Sequence, residues 1–463
     1  WYVAGRADPP AIEIVKPARL IGPSGDLEVA IETPGGELTR LEVALEQGGV
    51  RLPVFNLPAS EPAQLVTEGE DGLRLTRPIG KRDVPELEAG PLTVHVIAVR
   101  PVLFGLREIE SSAVHETEVR LTPPHVGIAS QFHYINHGGS EMVVYRVRPD
   151  DVDSGVRVGD FEYPGYPAAG AGIEGADPGL RLAFFALLWD QDVKAPISLY
   201  ARDEVGNESR ASFDYRVFQK SFRKSRITLN DNFLQKVVPE ILYNTPELKV
   251  QDASDLLASY LHINRDLRRE NNARIAAMTN ATAPQILWQG PFQQLTNTAV
   301  EASFADQRTY VYNGNEVDYQ AHLGFDLAST TNAPVLAANS GRVVHAGWLG
   351  IYGNCVVLDH GMGLQSLYAH LSAVEVEVGA AVEKNGRLGL SGETGLAGGD
   401  HLHFTMLLGG HAVTPVDWWS QQWIEDRIVR KLRQASPGKG GIDSGGGTIA
   451  AEAPAVNQSD VLR

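Results

Sequence analysis

The chain has 463 residues and carries 40 Lys and Arg against 57 Asp and Glu, a formal charge of −17 at neutral pH. That balance excludes a general nucleic-acid binder, which presents a basic face. Its one cysteine, Cys355, excludes an intramolecular disulfide and any cysteine-based metal site, so a bound metal must use histidine and carboxylate.

At roughly 150 residues per domain the length corresponds to about three folded units. Residues 1–122 hold short β-type runs, among them Leu27–Ile31, Leu41–Leu45, Leu92–Val99 and His115–Leu121, broken by turns. The alternation predicts an antiparallel β-sandwich. Pro123-Pro124 marks a stiff junction, since consecutive prolines cannot donate ladder hydrogen bonds. Residues 123–220 are again β-rich, with strands expected at Met142–Val147, Leu182–Trp189 and Ile197–Arg202. The hairpin chemistry of Asp203–Asn207 resembles the last hairpin of bacterial immunoglobulin-like domains, which implies an immunoglobulin-like sandwich. Leu182–Trp189 is also the longest apolar run, far below the ~20 residues of a membrane span. Trp1-Tyr2 are residue types of a membrane interface, which fits an inner-membrane anchor or a cleaved leader upstream, although an arbitrary boundary explains them equally well.

Across residues 221–285 the apolar period lengthens to about 3.6 and predicts a helical connector. Asn230 or Asp231 is expected to cap a first helix, and Asp252 a second running through Leu256, Tyr260, Ile263 and Leu267. Residues 286–425 return to β, with Asn313-Gly314 as a hairpin turn. Residues 426–463, Gly- and Ala-rich, are expected to be disordered. The fold class read this way is mainly β: two N-terminal sandwiches, a helical connector and a C-terminal β-sheet domain.

Seven of the 13 histidines fall between His322 and His411. His322-Leu323-Gly324-Phe325-Asp326 spaces an imidazole and a carboxylate four residues apart, a shared face in a strand or a helix. His401-Leu402-His403 on a strand aims both rings the same way. His370 ends the β-type run Tyr368-Ala369-His370-Leu371. Two histidines and a carboxylate are the ligand set of a hydrolytic zinc site that keeps one position open, and further histidines beside it suit proton transfer and oxyanion stabilisation.

From about Gln320 to Trp419 these motifs follow one another in the order of a known family. With Gly353-Asn354-Cys355 and Gly389-Leu390-Ser391-Gly392-Glu393-Thr394-Gly395 between them, the stretch resembles the lysostaphin and LytM-type zinc metallopeptidases, which cut peptide bonds in bacterial peptidoglycan. The resemblance implies an open antiparallel sheet whose groove holds one Zn²⁺, with His322, Asp326 and His403 as ligands. It implies catalytic roles for His370 and His401, leaving open which is the base and which the oxyanion donor. Asn354 and Tyr368 correspond to positions lining the substrate groove, although a turn Asn and a packed Tyr explain them equally well. It also implies an inactive form in which Ile286–Gln320 or the connector covers the groove.

The function expected is a zinc-dependent endopeptidase that hydrolyses peptidoglycan cross-links by metal-activated water, in the periplasm or cell envelope. Stem peptides are the expected partners, together with a membrane anchor or an envelope protein, and no nucleic acid. The alternative is a non-catalytic LytM-type scaffold that activates cell-wall amidases.

Overall fold

The computed structural model describes residues 8–33, 35, 37–59, 65–173 and 175–435. The described chain is mainly β and divides into two units.

The first unit is built from alternating strands. In Asp26–Glu32, Leu27, Val29 and Ile31 are buried while their neighbours are not, the period of a strand with one covered face. Ala11–Lys16, Asp26–Glu32, Gly72–Pro78 and Leu65–Glu68 form one sheet. Leu20–Ile21, Arg107–Val119, Gly90–Val102, Arg40–Gln47 and Val50–Leu57 form another. Leu27, Val29, Ile31 and Leu75 of the first share one core with Leu41, Val43, Val94 and Val96 of the second.

Another pair of four-stranded sheets follows in the chain. One runs His125–Ile128, Ser140–Arg148, Leu180–Ala186, Tyr166–Pro167, and the other Phe161–Pro164, Asp153–Val158, Ile197–Arg202, Glu208–Ala211. Helix α1, Asp231–Asn244, follows, its first turn closed by the Asn230 side chain accepting from Phe233 N at 2.9 Å. The next helix is capped at Asp255, which accepts from Ala258 N, and not at Asp252, whose carboxylate closes a turn on Ser254. Asp255 stands directly before the first periodic residue, Leu256, where a cap must be. That helix, α2 (Leu256–His262), runs through a π turn at Ile263–Leu267 into α3 (Arg268–Met278). Leu234, Val237 and Ile241 of α1 share a core with Tyr260, Ile263, Tyr310 and Ile351, so the connector is packed on the lobe that follows it.

That lobe carries one large sheet in the order Ala299–Ala302, Phe325–Ala328, Leu402–Leu408, Leu364–Leu371, Asn354–Gly361, Gly341–Trp348, Ala381–Val382, all neighbours antiparallel. Asp306–Tyr312 and Asn315–His322 form a hairpin through Asn313 and Gly314, both at positive φ (48° and 82°). Asp306–Tyr312 also pairs in parallel with Lys224–Leu229.

The expectation that the chain is disordered from residue 426 is corrected over its first ten residues. Glu425–Val429 and Arg430–Ala435 are helical, and Ile428, Lys431, Leu432 and Ala435 are buried. These are i, i+3, i+4 and i+7, an apolar stripe interrupted by a lysine. Lys431 Nζ donates to Glu141 Oε1 at 2.7 Å and to the Met142 carbonyl. A compositional reading counts such a lysine as surface. Residues 436–463 lie outside the described residues.

Within the second unit, residues 136–140 and the lobe meet at Asp417 and Trp418. Asn136 Nδ2 donates to Asp417 Oδ1 at 2.9 Å, and Trp418 Nε1 donates to Ser140 Oγ at 3.3 Å. Trp418 packs edge-on or tilted against Phe184, Trp288, Phe292 and Trp423. Residue 139 must be glycine, because a Cβ there would sit 2.4 Å from Asp417 Oδ2.

Burial pushes the Asp417 carboxyl up to about 6, against the hydrogen bonds from Ser140 and Asn136 that favour its charge. Its folded pKa is above the unfolded one, so its contribution to stability is present below about pH 4 and lost as pH rises through 6. Between pH 4 and 7 the wild type should lose about 2–3 kcal/mol relative to Asp417→Asn, by urea unfolding of both. Parallel pH profiles of the two proteins would contradict this.

Candidate metal centre

His322 is the last residue of its strand and Asp326 the second residue of the next, so Leu323 and Gly324 turn the chain between them. Asp326 lies opposite His403 in the antiparallel ladder, and Ala369 flanks His403 on the other side. Three polar atoms converge as a result. His322 Nε2 is 2.8 Å from Asp326 Oδ1, His403 Nδ1 is 2.9 Å from the same oxygen, and the two nitrogens are 3.0 Å apart. Gly324 makes the approach possible, since a Cβ there would come within 2.6 Å of His403 Nε2 and Thr405 Oγ1.

The outer atoms of both rings fix their tautomers. Thr405 Oγ1 donates to the Leu323 carbonyl at 3.0 Å, so it accepts from His403 Nε2–H, also at 3.0 Å, and leaves a lone pair on Nδ1. His322 Nδ1–H donates to the Ser303 carbonyl at 3.2 Å and leaves a lone pair on Nε2. Two imidazole lone pairs and a carboxylate oxygen thus face one point. Such a cluster repels itself unless a cation or proton stands between its members. Zinc bonded at about 2.0 Å in a tetrahedral site holds ligand atoms about 3.3 Å apart, so this donor set fits the ion after opening by a few tenths of an ångström.

His401 and His370 stand beside this point. His401 Nδ1–H donates to the Gly399 carbonyl at 2.8 Å, and its Nε2 lies 3.5 Å from Asp326 Oδ1. His370 Nδ1–H donates to the Thr394 carbonyl at 2.8 Å, and its ring centre is 4.9 Å from that of His401 and 5.7 Å from that of His403. His370 has φ of 63°, a backbone region that costs a non-glycine residue energy. The pairing explains it: Tyr368 faces Val356 while Leu371 faces Asn354, so the His370 strand carries one extra residue, a bulge that re-aims the side chain.

The electrostatics separate the two rings. Burial pushes His370 well below the ordinary imidazole value, with His401 and His403 adding to the shift. Burial also acts to lower His401, but the hydrogen bond and charge of Asp326 outweigh it and raise that ring. Burial likewise acts to raise Asp326, yet the surrounding histidines hold it well below the usual carboxylate range.

The two groove-lining candidates sit differently from the other five residues. Asn354 Nδ2 donates to the Leu371 carbonyl at 3.3 Å and its N–H donates to Thr394 Oγ1, so it ties the His370 strand to the Thr394 loop. Tyr368 is 1% exposed and its hydroxyl is held by Ala338 N at 2.8 Å and Ser366 Oγ at 3.0 Å. Of the two explanations for Tyr368 this placement favours the packed tyrosine: the bulge parts it from His370 and leaves it in the core. Two residues that the motifs did not mark also belong to the centre. Thr405 sits two residues beyond His403 on the same strand face, and Arg308 Nη2 donates to Asp326 Oδ2 at 3.1 Å. The segment before His322 thus supports the centre through Ser303 and Arg308.

Residues 320–415 match the model of Peptidase family M23. The chain carries an M23 peptidase domain of the LytM type. The M23 stretch is similar to an uncharacterized metalloprotease of Haemophilus influenzae, 35% identical over 118 residues, which are 25% of this chain and 24% of that protein. It is 38% identical over 98 residues to the DD-carboxypeptidase/endopeptidase Mpg of Neisseria meningitidis serogroup B, 21% of this chain and 23% of that one. It is also 36% identical over 95 residues to the murein hydrolase activator EnvC of Escherichia coli, 20% and 23% of the two chains. The likeness therefore spans about a quarter of the length of each relative and belongs to the M23 domain.

Thr405→Val removes the acceptor that fixes the His403 tautomer. Zinc affinity of the M23 domain in the intact protein should fall about 10–100-fold, read by competition with a chromophoric chelator. An unchanged affinity would contradict the tautomer assignment.

Proposed function

We propose that the chain is a zinc-dependent endopeptidase that hydrolyses peptide cross-links of bacterial peptidoglycan outside the cytoplasm. The observation that carries this reading is the convergence of three electron pairs within 3.0 Å, with two further histidines anchored beside them by backbone carbonyls. His322, Asp326 and His403 would hold one Zn²⁺. When bound, zinc supplies Lewis acidity to the scissile carbonyl and acidifies the attacking water.

The chain's own residues provide the rest. Burial keeps His370 unprotonated, so its Nε2 accepts the proton lost by the nucleophile. His401, whose Nε2 lies 3.5 Å from Asp326 Oδ1, would donate from that atom to the negative charge that develops on the carbonyl oxygen. The carbonyls of Thr394 and Gly399 fix both rings, so no reorientation is needed as charge moves.

Residues 1–122 and 123–220 act in this reading as immunoglobulin-like spacing or docking modules for a membrane anchor or an envelope protein. A charge of −17 gives no attraction to anionic wall polymers, which is consistent with targeting by such modules. The second reading, a non-catalytic amidase activator, draws on the likeness to EnvC. The presence and convergence of all five site residues favour turnover.

The test is digestion of purified peptidoglycan with zinc present, the released muropeptides being analysed by mass spectrometry. The intact protein should convert cross-linked dimers to monomers, and His322→Ala should not. Dimers left intact by a folded, zinc-loaded protein, together with stimulation of an added amidase, would replace the enzyme reading with the activator one.

A further inference from the structure

We propose that Arg308 is a positioning residue that restricts Asp326 to one-oxygen coordination and so keeps a position on the metal open. The proposal rests on the zinc reading above.

The two oxygens of Asp326 have separate surroundings. Oδ1 faces His322 Nε2 and His403 Nδ1 at 2.8 and 2.9 Å, whereas Oδ2 accepts from Arg308 Nη2 at 3.1 Å. A carboxylate with an uncommitted second oxygen can rotate and chelate a cation through both. Three protein ligands would then occupy four positions, and with its water the ion would carry five ligands and have no position left for the scissile carbonyl. A guanidinium on Oδ2 opposes that rotation, since it would exchange a charge-assisted hydrogen bond in a largely buried site for a crowded ion.

Arg308 is itself held for this task. Its side chain is 19% exposed, and its Nε lies 3.5 Å from Asp306 Oδ2, which also accepts from Ser225 Oγ at 2.8 Å. Asp306 is the ladder partner of His322, and Arg308 that of Gln320, so one hairpin sets both the first metal ligand and the cation behind the second. Ala305 N donates to the His322 carbonyl at 2.7 Å and ties the start of that hairpin to its end. Buried Asp306 Oδ1 and Arg308 Nε have no geometrically acceptable hydrogen bond, which leaves Asp326 as the well-formed partner of the guanidinium.

Co²⁺ is the probe, because its visible absorption distinguishes four from five ligands. The apo-protein should take up one Co²⁺ with a four-coordinate spectrum. Arg308→Gln should still bind one ion but shift to a five-coordinate spectrum, with turnover down about 10–100-fold, and Arg308→Lys, which keeps a donor cation, should return toward the wild-type spectrum. A folded Arg308→Gln protein with the wild-type spectrum overturns the proposal and leaves the zinc reading standing, whereas a wild type that takes up no Co²⁺ overturns the zinc reading itself. Should Arg308→Gln not fold, X-ray absorption of the zinc-loaded wild type decides: one Asp oxygen at about 2.0–2.2 Å supports the proposal, and two overturn it.

Discussion

Two imidazole lone pairs and one carboxylate oxygen held within 3.0 Å of each other form a self-repelling arrangement, and much of the M23 domain is organised to impose it. Burial alone would relax such a cluster by turning a ring or sharing a proton. Ser303 and Thr405 prevent that by occupying the outer nitrogens, and Gly324 supplies the close approach that any side chain would block. The strain at His370 belongs to the same design. A bulge and a left-handed backbone angle bring a core strand's imidazole to the edge of the centre, and the Thr394 carbonyl keeps it there.

The centre depends on neighbours outside the large sheet. The hairpin carrying Arg308 and His322 pairs in parallel with Lys224–Leu229, the strand that leads into α1. Asn271 of α3 accepts from Ile351 N, and Asn272 accepts from the Tyr352 hydroxyl, so the connector holds the loop before Asn354. Lys236 of α1 pairs with Glu393, next to the residue whose carbonyl orients His370. On the far side the second sandwich is joined to the lobe through Asp417, Trp418 and the buried Glu141–Lys431 pair. Removing one partner of such a pair leaves a buried charge, at a typical cost of about 3–5 kcal/mol. The lobe that holds the M23 match is therefore built into its surroundings, although the match covers residues 320–415 alone.

The three residues that converge were legible as candidates because each motif is local, and the family resemblance chose them among the histidines. His401, bridged to Gly392 just before the strand, and His403 within it lie two residues apart, and the HxxxD spacing survives the turn at Gly324. The Asn313-Gly314 turn and the Asn230 cap were equally local. What stayed hidden required pairing information. Arg308 reaches Asp326 from a different strand, and the bulge that separates Tyr368 from His370 exists only in register with Asn354–Gly361. The helix from Arg430 was concealed by a lysine on its buried face, because Glu141, nearly three hundred residues earlier, neutralises it.

The measurement that most directly tests the account is anomalous scattering at the zinc edge from crystals of the intact protein grown with zinc. The account predicts one peak at about 2.0–2.2 Å from His322 Nε2, Asp326 Oδ1 and His403 Nδ1, with the Nε2 atoms of His370 and His401 facing it. A zinc ion bound through other residues, or no ordered ion at these three atoms, would contradict it.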